Sequence, residues 1–427
     1  MLDTTRGIAV LGILLLNITG FGLPSAYDDP TVWGGDSPAD ITVWRVMALL
    51  FEGTMRGLFT ILFGAGALLF LHRHTSRSSG LLPADLYFRR TIWLIVFGLF
   101  NGYVLLWSGD VLFFYGVAGL FLFVFRNLSA RRLLVLATAF MVLQTLVSVT
   151  EWRDFAQAEQ DARIAAARQA AGQPLTAFDQ EAMETFAELE SEFHPAREDL
   201  EATVANVRGD YASAFDANKG HTWFMQTDFF FRHGIGESLG MMLLGMALLQ
   251  WGVLSGNVAP RVYLAMIGIG YAIGLSVNLA EIQHIEGSGF TPAALVSTFP
   301  TYDLGRIPMT LGHLGVIGLL CRTRWLSTLS RLFAASGQMA LTNYLAQSLL
   351  CLFIFTGAGL ALYGQLPRHQ LYYIVAAIWV LQLTWSPLWL RQFRYGPAEW
   401  LWRSLTYGRW QTLRREAPAA VAVSSTP

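Results

Sequence analysis

Lysine is almost missing from this 427-residue chain: of its 29 basic residues only Lys219 is not an arginine. Charge of either sign is scarce as well. Charged residues make up 14%, against roughly 25% in a soluble domain, while 54% are hydrophobic. That balance excludes an ordinary water-soluble globule. The arginine bias suits interfaces and phosphate groups, although genome composition is its simpler cause. The two cysteines, Cys321 and Cys351, fall near opposite ends of adjacent apolar runs, which argues against a disulfide. Walker A, His-Glu-x-x-His and Gly-x-Ser-x-Gly patterns are missing, as is any cysteine pair for zinc or haem. No motif therefore speaks for ATP, a metal or an acyl-serine, and no metal is expected. His72 and His74 sit among arginines that would repel a cation. Nucleic acid is not an expected partner, because the basic residues stand where membrane topology already requires them. The first apolar run lacks an Ala-x-Ala-like cleavage site and reads as a span, not as a removable signal peptide.

What the chain has is length in its apolar runs. A hydrocarbon core of about 30 Å takes roughly 20 helical residues to cross, and such runs fill most of the sequence. The expected fold class is an all-α polytopic membrane protein with about ten transmembrane helices, over 7–23, 44–71, 91–107, 111–125, 133–150, 233–254, 262–279, 305–320, 339–355 and 371–390. Arginines orient them. One set of connections carries Arg73, Arg77, Arg89, Arg90, Arg126, Arg131, Arg132, Arg261, Arg322, Arg324 and Arg331, and the tail runs from Arg391 to Arg415. The opposite set carries little beyond Arg45, Arg306 and Arg368, and holds Asp28, Asp29, Asp36, Asp40, Asp110, Glu281, Glu286 and Asp303. The positive-inside rule then places both termini in the cytoplasm, with the lipid bilayer as the chain's first partner.

Residues 151–232 form the one long connection, with 16 acids to 7 bases and Ala-, Glu- and Gln-rich stretches that favour helix. Pro174 and Pro195 divide it into about three pieces. The expected organisation is a five-helix bundle over 1–150, an acidic helical extracytoplasmic insert over 151–232, a second five-helix bundle over 233–392, and a basic cytoplasmic tail over 393–427. Glycines four apart, such as Gly53 with Gly57 and Gly270 with Gly274, suit close helix packing in lipid. A homodimer is one assembly this surface admits.

Five stretches carry a resemblance. They are Leu2-Asp-Thr-Thr-Arg-Gly at the start of a run to Asn17, Leu62-Phe-Gly-Ala-Gly66, Trp107-Ser-Gly-Asp-Val-Leu112, Gly337-Gln-Met-Ala-Leu-Thr-Asn-Tyr-Leu-Ala-Gln-Ser348, and Phe393-Arg-Tyr-Gly-Pro-Ala-Glu-Trp-Leu-Trp-Arg-Ser-Leu-Thr406. Their content and order resemble the YeiB family of bacterial inner-membrane proteins, whose C-terminal region is classed as a domain of unknown function and whose members are loosely tied to transport. The Asp-x-x-Arg-Gly opening is also similar to that of transmembrane acyltransferases of the heparan glucosaminide N-acetyltransferase type, over the first two spans only. Two positions depart from these patterns. Asn101 stands where YeiB-like proteins often have histidine, and Asp28 stands near the place of the acetyltransferases' functional histidine, so a histidine mechanism does not carry over to either.

Ionisable groups at bilayer depth are default candidates for function. Glu52 and Arg56, four apart, are expected to pair on one helix face, and as substrate ligands to line a cavity. Asp303 and Arg306 make a second such pair, and Asn17, Asn343 and Gln347 are candidate polar contacts to substrate. Candidate catalytic groups are Asp110 in a short hairpin, His233 with Glu237 one turn on, and His313 deeper in its span. Each has a plain alternative: a turn cap, a first-turn acid, an interhelical hydrogen bond. At the arginine-rich face Asp3, Arg6, Arg89 and Arg90 are candidates to hold the phosphates of acetyl-CoA or another acyl-CoA, with Arg394, Glu399 and Arg403 nearby. Three functions stay open: an acyltransferase moving an acyl group from a cytoplasmic CoA thioester to a small-molecule or glycan acceptor at the outer face, a transporter of a small polar metabolite, and a non-catalytic scaffold.

Overall fold

The computed structural model describes residues 1–35, 37–75, 80–323 and 327–415; Asp36, Arg77 and Arg324, used in the charge pattern above, lie outside them. Among the described residues the chain is helical with no strand. The helices are α1 (Leu2–Gly22), α2 (Pro38–Leu50), α3 (Thr54–Thr75), α4 (Leu82–Tyr103), α5 (Val111–Leu122), α6 (Ala130–Ala170), α7 (Ala177–Phe193), α8 (Arg197–Val207), α9 (Tyr211–Phe224), a π-helix (Met225–Gly234), α10 (Ile235–Gln250), α11 (Pro260–Gly287), α12 (Pro292–Ser297), α13 (Tyr302–Leu320), α14 (Ser327–Gln338), α15 (Ala340–Phe355), α16 (Arg368–Gln392) and α17 (Pro397–Tyr407). With its long apolar helices this is an all-α polytopic membrane protein.

Every expected span falls on a helix, but they differ in reach. Five helices are long and apolar enough to cross a bilayer: α1, α2 with α3 (Pro38–Thr75), α6, α11 and α16. A sixth is possible if the bent pair α14 and α15 counts as one. Helices α4, α5, α10 and α13 are shorter or more polar. Burial orders them. The apolar stretches of α1 and α2–α3 are 67% and 72% buried within the protein, whereas those of α6, α11 and α16 are 17%, 22% and 28% buried. The first two are the centre, and the other three turn their apolar surface outward, as helices facing lipid do.

Two breaks matter for the site. Helix α2 ends at Leu50 and α3 starts at Thr54, with Gly53 at φ +67°, a left-handed conformation that costs glycine little. The carbonyls released there find side chains: Leu50 O accepts from His313 Nε2 at 2.7 Å, and Leu49 O from Asn278 Nδ2 at 3.0 Å. Helices α14 and α15 meet at 79°. Asn343 Nδ2 donates to Ser336 O across the bend (3.1 Å), and Glu399 of α17 accepts from the Leu341 and Thr342 amides at the start of α15.

The familiar stretches dock on one another. Gly7 of the opening lies so close to α14 that a Cβ there would meet Phe333 O, and one on Gly337 would meet Asp3 O. Gly64 meets the Met242 backbone in the same way. Helix α6 runs unbroken for 41 residues across residue 151, so the first part of the expected insert continues the helix of the span before it. Breaks at 171–176 and 194–196 coincide with Pro174 and Pro195, and a further one at 208–210 makes more pieces than three. Both cysteines are free thiols.

Candidate functional site: an ionic network at the acidic end of the bundle

The polar groups gather where the α2–α3 break meets the acidic ends of α10, α11, α13 and α16. Arg56 does not pair with Glu52. Its Nη2 contacts the Glu237 carboxylate of α10 at 3.0 Å and donates to the Tyr302 hydroxyl at 2.9 Å. The expected pairing needed one continuous helix, and Gly53 breaks it, turning Glu52 toward the loop before α2. Glu52 there accepts from the hydroxyls of Tyr27 (3.1 Å) and Tyr302 (3.4 Å). Tyr302 thus bridges the acid and the base that are not bonded directly.

Arg306 is likewise redirected. Its partner is Glu281 on α11, at 2.7 Å with both side chains nearly buried, and not Asp303 on its own helix. Helices α11 and α13 come close enough for this because Gly270 and Gly274 leave no side chain between them; a Cβ on Gly270 would meet Pro308 O. Asp303 remains within electrostatic reach of Glu237, Arg56 and Arg306. Arg368, 3% exposed, bonds Ala26 O and feels Asp28, Tyr27 and Asp40. A small cavity of about 30 Å³, room for a water, is lined by Thr19, Tyr27, Trp44, Glu52, Arg368 and Tyr372 among others.

Among the described residues the carboxylates Asp28, Glu52, Glu237, Glu281 and Asp303 lie within electrostatic reach of the guanidiniums of Arg56, Arg306 and Arg368. The Nε atoms of all three arginines are buried with no partner found. Buried polar atoms without a partner are uncommon, and three of those among the described residues belong to these arginines. Electrostatics and polarity therefore converge on this network.

The expected catalytic residues lie elsewhere. Asp110 is buried as the N-cap of α5, its oxygens taken by Phe113 N (2.7 Å), Asn101 Nδ2 (2.8 Å) and Tyr344 OH (3.3 Å). His313 gives both ring nitrogens to packing, Nε2 to Leu50 O and Nδ1 to the Tyr271 hydroxyl at 2.8 Å. His233 sits in the π-helix and pairs with Glu151 of α6 at 3.0 Å instead of with Glu237. Its other nitrogen meets Gln144, whose amide, turned oxygen to the ring, also reaches the Arg232 and His233 carbonyls. Asp110 thus caps a helix and His313 bonds across helices, while Glu237, expected beside His233, goes to Arg56.

Asn343 and Gln347 are buried hydrogen-bond partners, Asn343 of Ser386 and Trp385, Gln347 of Val10 O and Gln382. Asn17 is half-buried with no bond of its amide found among the described residues. At the other end Asp3 pairs with Arg6 (2.9 Å) and Arg89 with Asp85 (3.4 Å), while Arg90 lies over the Trp402 ring at 4.2 Å. No group of three or more metal-type ligands is present among the described residues.

Tyr27, Tyr302, Glu281 and Arg368 were not singled out as site residues by sequence. A signal existed for the basic members. Arg45, Arg306 and Arg368 are the arginines in the short connections of the acidic side, against the topology rule, and each is held by this end of the bundle: Arg45 with Glu286, Arg306 with Glu281, Arg368 beside Asp28.

The fold and this buried network define a polytopic helical membrane protein with a polar centre at one end. Comparison with known proteins gives the family. A family model described as "Protein of unknown function (DUF418)" matches residues 248–409. The chain is 30% identical over 421 residues to "Uncharacterized protein YeiB" of Escherichia coli (strain K12), covering 98% of this chain and 97% of that one. It is 29% identical over 430 residues to "Uncharacterized protein YxaH" of Bacillus subtilis (strain 168), with 97% and 96% covered. The chain belongs to the YeiB family. No solved structure matches.

Proposed function

We propose that the protein is a membrane-embedded acyltransferase, passing an acyl group from a cytoplasmic CoA thioester to a hydroxyl or amine acceptor at the acidic, outer end of the bundle. The observation that carries this reading is the Glu52 carboxylate, bonded by Tyr27 and Tyr302 beside a water-sized polar cavity, with the Arg56 guanidinium one hydrogen bond further on. In the transfer the thioester C–S bond breaks as the acceptor's oxygen or nitrogen bonds the acyl carbon. The acceptor proton passes to Glu52, and the thiolate leaves to be protonated from solvent. For the negative oxygen of the tetrahedral intermediate the nearest donors are Arg56 and the Tyr302 hydroxyl, whose proton would turn from Glu52 to that oxygen. The opening Asp3-x-x-Arg6-Gly7 supports the same reading through its similarity to transmembrane acyltransferases.

Purified protein given acetyl-CoA and a panel of sugar and amine acceptors should release free thiol. Glu52→Gln should lower that release by about a hundredfold or more, the usual scale for loss of a general base, while leaving the fold intact by thermal melting. No thiol release across the panel by protein that melts cooperatively counts against the proposal.

The broken helices favour a second reading. Interrupted spans such as α2–α3 often hold solutes in transporters, with the network as a binding site for a small polar metabolite. Solute uptake into proteoliposomes, lost in Arg56→Gln, would select it.

A further inference from the structure

The opposite end of the same helices holds a second polar group that the acidic-end network does not use. Between Arg56 and Phe70 helix α3 rises about 21 Å, at roughly 1.5 Å per residue, and at Phe70 it meets Arg90 of α4. Arg90 of α4 is stacked, its guanidinium 4.2 Å from the Trp402 ring and 5.0 Å from that of Phe70. Arg403 of α17 lies over Tyr395 at 4.5 Å and Tyr407 at 5.9 Å. Arg6 of α1 completes the set. Arg403 and Arg6 are the two cations close enough to repel Arg90.

The nearby acids do not answer this charge. Asp3 bonds Arg6, so one of the three is neutralised. Asp85 is taken by Arg89. Glu399, one turn before Arg403 on α17, is turned away, its oxygens accepting from the Leu341 and Thr342 amides and the Thr342 hydroxyl (2.6, 3.1 and 2.5 Å). Among the described residues no carboxylate pairs with Arg90 or Arg403, and Arg403 Nε is buried with no partner. Gathering like charges costs energy that a solvated surface would avoid by spreading them. Here Trp402 prevents that, because its own Nε1 donates to Arg90 O at 2.8 Å and fixes ring and arginine together. A guanidinium stacked on an aromatic face keeps its edge N–H groups free, and that edge is the part that forks onto phosphate oxygens.

We propose that Arg6, Arg90 and Arg403 form a phosphate-binding site at the arginine end of the bundle, 20 Å or so along α3 from the ionic network. Two ligands present that chemistry at this face: the nucleotide end of an acyl-CoA, which rests on the acyltransferase reading, and the headgroup of an anionic phospholipid, which does not.

The test uses the full chain in neutral detergent, titrated calorimetrically with 3′,5′-ADP, which has the phosphates of CoA but no thioester. In parallel, the protein is incorporated into phosphatidylcholine nanodiscs with and without phosphatidylglycerol, and lipid that stays bound through purification is measured. Saturable 3′,5′-ADP binding that weakens about tenfold in R90Q and in R403Q, the size expected for one charge-assisted contact, identifies the nucleotide. Retained phosphatidylglycerol that is lost in the same variants identifies the headgroup. R126Q, whose arginine is held on its own turn by Phe123 O at 2.9 Å, should leave either signal within twofold. R90K and R403K keep the charge and separate loss of binding from loss of folding, which melting curves also report. Binding of 3′,5′-ADP without thiol release from acetyl-CoA would sink the acyltransferase reading and leave this site standing. Neither ligand binding at millimolar concentration, or binding unchanged in both glutamine variants, overturns the site.

Discussion

Arg56 has two acids to choose from, Glu52 four residues back and Glu237 on another helix, and the choice decides which pair a mutation would break. The structure gives it Glu237 at 3.0 Å, with Tyr302 between Arg56 and Glu52. Removing either member of a close ion pair in a low-dielectric setting strands the other, whereas removing both does not. Glu237→Gln and Arg56→Gln should therefore each lower the melting temperature in detergent. The double variant should recover part of the loss, with a coupling of about 1 kcal/mol or more. The same cycle on Glu52 and Arg56 should show weaker coupling, passed through Tyr302. Equal coupling in the two cycles, or strictly additive losses in the first, would contradict the assignment. Sequence spacing pointed to Glu52 because an i,i+4 rule assumes an unbroken helix. Nothing in the apolar run 44–71 distinguishes Gly53, which turns the chain, from Gly57, which sits inside α3 against Met241 and Thr310. Glu281 and Tyr302 were out of reach for another reason: their role depends on how α11 and α13 lie together, and one sequence carries no record of that.

At the level of elements, the apolar helices were legible because burial in lipid or in the bundle leaves a signal in composition, although among the described residues five are long and apolar enough to cross, or six with the bent pair. The 79° bend at α14–α15 was not, since Gly337 and Met339 look like ordinary residues of an apolar stretch. The insert was legible in its helical content and its proline breaks. Its joint with α7 shows why the turn holds. Thr176 caps α7 in a capping box with Asp179, and Arg168 at the end of α6 closes on the same carboxylate at 2.8 and 3.0 Å. Hydrogen bonds from the Thr176 backbone and hydroxyl, then the Arg168 guanidinium, hold the Asp179 carboxyl below its ordinary value. A carboxyl whose native pKa is depressed stabilises the fold fully above the unfolded value, near 3.9, and loses that contribution as pH falls through the native one. Protection of the amides in residues 168–180 of the full chain, measured against their intrinsic exchange rates, should hold steady from pH 7 to 5 and then fall in acid. Asp179→Asn should show faster exchange already at pH 7 and no such acid step. An acid step of the same size in the asparagine variant would show that another group drives it.

For the whole molecule the open question is which way the bundle sits, and α6 turns it into a measurement. Its 41 residues span about 61 Å at 1.5 Å per residue, roughly twice a 30 Å hydrocarbon core, so only one part of it fits in lipid. Residues 133–150 carry no charge, while Glu151, Arg153, Asp154, Glu159, Asp161, Arg163 and Arg168 follow in the next stretch. The membrane therefore holds the first part, Arg131 and Arg132 mark one surface, and Ala170 stands well beyond the other. Positive residues favour the cytoplasm, which predicts Ala170 on the outer side. A single cysteine at Ala170, in a chain with Cys321 and Cys351 replaced by serine, should react with a membrane-impermeant maleimide in intact bacteria. A cysteine in place of Arg131 should react only once the cytoplasmic membrane is opened. The reverse pattern would invert the bundle, move the Glu52 network to the cytoplasmic side, and remove the geometry in which a cytoplasmic acyl donor enters past Arg6, Arg90 and Arg403 to reach an acceptor outside.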